Sequence, residues 1–199
     1  MASRGVFLAF EGIDVSGKST QAKRVAAIHD ALFTFEPGDT PLGAQLRRWV
    51  LDAATPMAPS TEALMMLTDR SHHVRTLIEP TLANGGSVVT DRFFASTLAY
   101  QGYGGGVDLG LLRAASELAM GTTRPTLTVL LDLPVEAVNE RRARDARDRF
   151  EAQDLAYHQR VRDGYLELAK DSTWFVIDAS ASEDEVASAI DERLADLPW

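Results

Sequence analysis

The chain of 199 residues contains no cysteine. That removes disulfides, thiolate nucleophiles and cysteine-ligated metals together, while leaving the redox compartment open. Histidine is scarce, limited to His29, His72, His73 and His158. The neighbours His72 and His73 would diverge by about 100° on a helix, so metal-ligand spacing is lacking and all four read as surface or partner-satisfied residues. No apolar run approaches the roughly 18 residues needed to cross a bilayer. Basic residues are outnumbered, 20 to 29, and the net charge of −9 argues against a general nucleic-acid binder, which needs a basic face. Lysine is nearly missing from the basic set, with only Lys18, Lys23 and Lys170. The remaining cations are arginines, which favour forked contacts to small phosphorylated ligands. The opening MASRGVFLAFEG enters an apolar run directly, without a small-residue cleavage site, so the expected location is the cytoplasm. No repeat, linker or low-complexity tract divides the chain, and one domain over residues 1–199 is expected.

What is present is an alternation of two patterns. Short β-rich apolar runs occur at 6–10, 31–35, 87–91, 126–133 and 173–179. Helical patterns fall near 18–29, 41–53, 60–83, 108–120, 134–143, 150–170 and 182–195. Nearly continuous apolar strands alternating with helices predict an α/β fold, a five-stranded parallel sheet covered on both faces. Pro59-Ser60-Thr61-Glu62 offers a hydroxyl cap, Asn84-Gly85-Gly86 a helix stop, Ser182 a cap before three acids, and Gly102–Gly106 a loop. Residues 139–154 carry both charge signs densely, which by composition alone is a solvated helix pair and turn.

The stretch FEGIDVSGKST at 10–20 carries the first chemistry. Gly12, Gly17, Lys18 and Ser19 fit G-x-x-x-x-G-K-[ST], with Gly12 just after the first predicted strand and Ser19 just inside a predicted helix. In such a loop the backbone N–H groups of residues 12–20, Asp14, Val15, Ser16 and Thr20 among them, curl around phosphate oxygens at a helix N-terminus. Lys18 reaches the β- and γ-phosphates and the Ser19 hydroxyl ligates Mg²⁺. This establishes nucleoside-triphosphate binding, with ATP and Mg²⁺ as the expected pair, but leaves the fate of the γ-phosphate open. A glycine turn that binds nothing would require lysine, hydroxyl and strand-loop-helix context to coincide by chance.

The stretch DRFFASTLAYQG at 91–102 addresses that question. Asp91, Arg92, Phe93, Ser96, Thr97, Ala99, Tyr100 and Gln101 fit D-R-[aromatic]-x-x-S-[ST]-x-A-Y-Q, and here the sequence resembles the thymidylate kinase family. The resemblance extends through EPGDTPLGAQLR at 36–47, ALMMLTDRSHHV at 63–74 and RDRFEAQDLAYHQRVRDGYLELA at 147–169, nearly the whole chain. It implies a P-loop NTPase fold, transfer of the ATP γ-phosphoryl group to thymidine 5′-monophosphate (dTMP), and a homodimer packed through helices. The apolar stripes of 60–83 and 108–120 are candidates for that contact, or for core.

The resemblance also implies roles. Arg92 would hold the acceptor phosphate, Arg70 would lie near base and phosphate, and Arg47 would add a phosphate-side cation. Asp14 would sit near the acceptor sugar and phosphates, Asp91 would join Ser19 at the Mg²⁺ shell, and Glu36 is a further acidic match. Thr97 and Gln101 would bond the thymine edge, Ser96 belongs to the same acceptor motif, and Tyr100 would crowd the sugar 2′ position. With Lys18, Arg92 and Asp14 in the reacting centre, Val15 stands where other members place an arginine. The sequence therefore looks like the bacterial type, with a lid at about 139–154 whose arginines close over ATP: Arg149 first, then Arg147, Arg144 and Arg142.

Three departures stand out. Phe35 replaces an arginine before EPG, Met66 replaces a phenylalanine expected to stack on thymine, and VAAIHDALFTFEPG is short, implying a truncated helix. Methionine can cover a base face as a soft, polarisable group. Two other readings remain at this stage. One is a kinase for another nucleotide or for a nucleoside, with Glu11 or Asp14 as base; the other is a nucleotide switch without turnover, against which Arg70 and Arg92 weigh.

Overall fold

The computed structural model describes residues 4–141, Phe150 and 153–199, with only the backbone of 139–141. Five strands form, β1 (Phe7–Glu11), β2 (Leu32–Phe35), β3 (Val88–Asp91), β4 (Leu127–Asp132) and β5 (Trp174–Asp178), each inside its expected run except that β1 extends one residue further, to Glu11. All pair in parallel in the order β2-β3-β1-β4-β5. The central strand β1 is buried along its whole length, as its four apolar residues require, and the burial includes Glu11 at its end. Chain order reverses on either side of β1, which opens a crevice at its C-terminal end, where such sheets bind ligands. Phe10 pairs with Asp91 in β3 and with Val129 in β4, so the phosphate loop and the DRF segment leave the sheet side by side.

Helices α1 (Lys18–Ile28), α2 (Pro41–Leu51) and α3 (Pro59–His73) follow the expected pattern. At α3 the hydroxyl cap is not used. Ala58 is the N-cap residue, without a side-chain bond, and Pro59 occupies the first turn, where its fixed φ suits helix entry and its missing N–H costs nothing. The helix expected to run to residue 83 changes register before ending as α4 (Glu79–Ala83), because Val74–Ile78 is π-helical. The cause is Pro80, which lacks a donor and crowds the preceding turn. The wider register, with the Glu79 N–H reaching the Val74 carbonyl, accommodates it.

A second difference shapes the site. After α5 (Phe94–Thr97), residues Leu98–Gly104 are π-helical, where Gly102–Gly106 was expected to be loop. Gly104 is there for close approach: a Cβ would lie 2.8 Å from both Tyr157 and Val161. Then come α6 (Leu109–Met120), α7 (Val135–Arg141), α8 (Leu155–Leu168) and α9 (Glu183–Leu194). Helix α8 starts at 155 rather than 150, since Asp154 caps it by accepting from the Tyr157 N–H at 2.7 Å. The charged segment expected as a lid lies largely outside the described residues. Among those described, no helix is long and apolar enough to cross a membrane.

Helix α9 opens with a full capping box, Ser182 and Glu185 each bonding the other's backbone N–H. Val186, Ile190 and Leu194 are its buried face. Ser182→Ala is expected to lower unfolding free energy by about 1 kcal/mol, a fall of about 2–4 °C in Tm by calorimetry.

Candidate active site

The phosphate loop takes the shape its glycines allow. Gly12 has φ 146°, and a Cβ there would strike the Leu131 carbonyl oxygen at 2.6 Å; Gly17, at φ 91°, is the N-cap residue of α1. Val15 also has positive φ, at 58°. Lys18 is buried, its Nζ donating to the Ile13 carbonyl at 3.3 Å and lying 3.8 Å from Asp14. Burial, then the neighbouring Arg92 charge, pulls its pKa down from the ordinary lysine range. The Ser16 hydroxyl is buried with no hydrogen-bond partner among the described residues. Thr20 lines a cleft on the far side of the loop with Leu131, Ala179, Ala181 and Val186.

Arg92 is the centre of the crevice. Its backbone sits at φ 71°, a left-handed conformation uncommon for a non-glycine residue. Its guanidinium donates to Asp14 Oδ1 at 2.5 Å, to the Tyr100 hydroxyl, Ser96 Oγ and the Gly12 carbonyl at 3.1 Å, and to the Tyr165 hydroxyl at 3.2 Å. Glu11, fully buried, holds the segment behind it. Its two oxygens accept from the Phe93 N–H at 2.9 Å, the Ser96 N–H at 3.3 Å, the Ser96 hydroxyl at 2.6 Å and the Tyr165 hydroxyl at 3.0 Å. Burial raises the Glu11 pKa against those hydrogen bonds. For Asp14, burial pushes upward, but the charges of Arg92 and Lys18 outweigh it and bring the pKa to about 2.

The ten residues expected around an acceptor, Asp14, Glu36, Arg47, Met66, Arg70, Arg92, Ser96, Thr97, Tyr100 and Gln101, all line one cavity, joined by Pro37, Leu51, Asp69 and Phe150. A groove containing Asp14, Lys18, Ser19 and Arg92 links it to the phosphate loop. Arg70 is held rigidly: Nε donates to Glu36 at 2.8 Å, Nη1 to Thr97 Oγ1 at 3.0 Å and Nη2 to the Phe93 carbonyl at 3.0 Å. His73 donates from Nδ1 to the other Glu36 oxygen at 3.0 Å and pairs through Nε2 with Thr34 at 2.6 Å. Glu36 thus spends both oxygens on orienting neighbours. Arg47 stacks over Phe35, 5.5 Å from the ring centroid, and donates to the Pro37 carbonyl at 2.7 Å, so the residue replacing an arginine becomes a platform for another arginine.

Ser19 donates to Asp91 Oδ2, and Asp91 Oδ1 is buried with no hydrogen-bond partner among the described residues. That orphaned oxygen beside a hydroxyl at the phosphate loop fits a hard divalent cation such as Mg²⁺, which keeps waters and phosphate oxygens as its other ligands. Among the described residues no cluster of three or more His, Asp or Glu competes for a metal. Arg142, Arg144, Arg147 and Arg149 lie outside the described residues.

Sequence reasoning passed over Tyr165, Asp69 and the structural use of Glu11. Glu11 ends an apolar run and Asp69 precedes Arg70, but the partners of each come from distant segments. Asp69 is buried against the first turn of α2, its Oδ1 within 2.2 Å of where a Gly43 Cβ would stand. Burial, then the Glu36 charge, lifts its pKa to about 6.

A parallel sheet of this order, with a phosphate loop at its switch point and an arginine-lined cavity opening onto that loop, defines a P-loop phosphotransferase. The sequence model of the thymidylate kinase family matches residues 10–190. The thymidylate kinase of Caulobacter vibrioides is 43% identical over 199 aligned residues, covering 96% of each chain. That of Carboxydothermus hydrogenoformans is 42% identical over 189, covering 92% of this chain and 93% of its own. The crystal structure of thymidylate kinase from Ehrlichia chaffeensis superposes with a TM-score of 0.77 at 30% identity, covering 96% of this chain and 99% of that one. The chain belongs to the thymidylate kinase family.

Asp69 yields a pH signature. Its folded pKa of about 6 exceeds the 3.8 of an unburied aspartate, so the folded state binds the proton more tightly. The resulting stability is complete below pH 4, declines as pH rises to about 6, and is absent above, a loss of about 3 kcal/mol. The Tm of Asp69→Asn minus that of the wild type should therefore climb between pH 4 and 6.5 and level off beyond. A difference that stays flat across that range would disprove the assignment.

Proposed function

We propose that the chain transfers the γ-phosphoryl group of ATP to dTMP, giving thymidine diphosphate and ADP. The observation that carries this reading is the arginine-lined cavity, joined to the phosphate loop through Asp14 and Arg92. Two polyanions must meet, and the acceptor phosphate is already nucleophilic near neutral pH. The site needs alignment and charge neutralisation rather than a general base. Glu11 is committed to four donors, which leaves no oxygen for proton abstraction and disfavours a nucleoside acceptor.

In this reading Arg92 takes the acceptor phosphate, with Arg47 beside it. Before substrate arrives, the Asp14 carboxylate occupies the charge centre of Arg92 and Lys18. Lys18 and the loop N–H groups then hold the donor phosphates, with Ser16 adding a hydroxyl that has no partner among the described residues. Ser19 and Asp91 would hold Mg²⁺, which would supply positive charge to neutralise the phosphates. Arg70, Thr97 and Gln101 face the thymine, Met66 covers its ring and Tyr100 excludes a ribose 2′-hydroxyl. The apolar cleft behind Thr20 suits the donor base.

We also propose a homodimer and a cytoplasmic setting, which supplies the ATP. Leu64 of α3 and Leu111 and Leu118 of α6 are 64%, 70% and 78% exposed, and the latter two share a helix face. Leu118→Asp should shift the sedimenting species from dimer to monomer; a wild type that sediments as a monomer refutes the dimer.

The activity is tested by ADP release with ATP, Mg²⁺ and a panel of dTMP, deoxyuridine monophosphate, other monophosphates and thymidine. dTMP should be the preferred acceptor, and Arg92→Ala should lower kcat/KM for dTMP at least 100-fold with KM for ATP within threefold. Absence of acceptor-dependent ADP sinks the kinase reading, and preference for another acceptor sinks the choice of dTMP.

A further inference from the structure

The base side of the acceptor cavity is formed by the π-helical segment Leu98–Gly104, which presents Gln101 to it. Glu62, near the start of α3, is not part of that cavity; it lines the adjoining one, with Pro59, Tyr100 and Arg160. Both side chains are buried, Gln101 2% and Glu62 8% exposed, and Gln101 Nε2 donates to Glu62 Oε2 at 3.4 Å. The hydrogen bond runs from the amide nitrogen to a carboxyl oxygen, so the branch turned toward Glu62 is the NH₂ group. The carbonyl oxygen, on the opposite branch of the same planar group, is directed away from Glu62, and no donor reaches it among the described residues.

Thr97 has the complementary polarity. Its oxygen accepts from Arg70 Nη1 at 3.0 Å, which leaves its hydroxyl hydrogen to donate, and the Arg70 plane is fixed by Glu36 at 2.8 Å. The wall thus offers one acceptor beside donors. A pyrimidine imide, as in thymine or uracil, matches it with an N3–H flanked by a carbonyl. Cytosine opposes it at N3, an acceptor that would face the Gln101 carbonyl oxygen with no hydrogen between them.

We infer that Glu62 is a specificity-determining positioning residue: by fixing the Gln101 amide it makes the cavity read an imide N–H and reject cytosine. This rests on the reading that the acceptor base occupies this cavity. The advantage arises because a mispaired base leaves buried polar groups without partners, a large penalty compared with a missing apolar contact. A glutamine at 62 can donate as well as accept, so it would let the Gln101 amide turn over.

The test is the ratio of kcat/KM for dTMP to that for deoxycytidine monophosphate. Glu62→Gln should lower this ratio at least fivefold, through a higher KM for dTMP, with KM for ATP within twofold. In a Gln101→Leu background the same substitution should move the ratio less than twofold, because no amide is left to orient. Should Glu62→Gln fail to fold by circular dichroism, Glu62→Leu gives the same readout. A fall below fivefold in the single variant, or an equal fall without Gln101, overturns the inference. A wild type that phosphorylates both nucleotides equally instead overturns the reading of the cavity, which separates the two failures.

Discussion

The Glu11 carboxylate is the interaction on which the rest of the site depends. It stands at the C-terminal end of the central strand, with no exposure to solvent, where an ionised group is costly unless several donors surround it. Four donors do: two backbone N–H groups and the Ser96 hydroxyl from the segment after β3, and the Tyr165 hydroxyl from α8. One residue thereby ties two distant chain segments to the start of the phosphate loop. The left-handed backbone at Arg92 is tolerated because the residues after it are held by that anchor.

Around this anchor the charges are arranged in alternation. Asp14 lies between Arg92 and Lys18, Glu36 between Arg70 and His73, and Asp91 beside Ser19. Among the described residues Lys18, Arg70 and Arg92 each have an anionic or carbonyl partner, so their buried charge is compensated. Preorganisation of this kind reduces the reorganisation needed when two polyanions meet.

Much of this was legible beforehand, for particular reasons. The phosphate loop was readable because its demands are local: glycines at fixed spacing, a lysine and a hydroxyl, between a strand and a helix. The cavity residues were readable only through resemblance, since Arg47, the α3 pair Met66 and Arg70, and Tyr100 come from three separate helical segments that no spacing rule connects. Helical ends fared less well. A proline at the first turn displaced the hydroxyl cap of α3, Pro80 forced a π-helical register, and Gly104 proved to be a site of close packing against Tyr157 and Val161 within a helix.

By itself the sequence determined the strand and helix alternation, the phosphate loop, the exclusion of cysteine chemistry and the pool of arginines. Those follow from residue type and short-range spacing, which act within a few positions of the chain. Only the tertiary structure decided that Glu11 is an anchor and not a base, that Glu36 orients Arg70, that Phe35 carries Arg47, and that Glu62 stands behind Gln101. Such roles depend on which distant side chain supplies the matching donor or acceptor, and that is fixed by strand order and helix packing across separations such as the 154 positions between Glu11 and Tyr165.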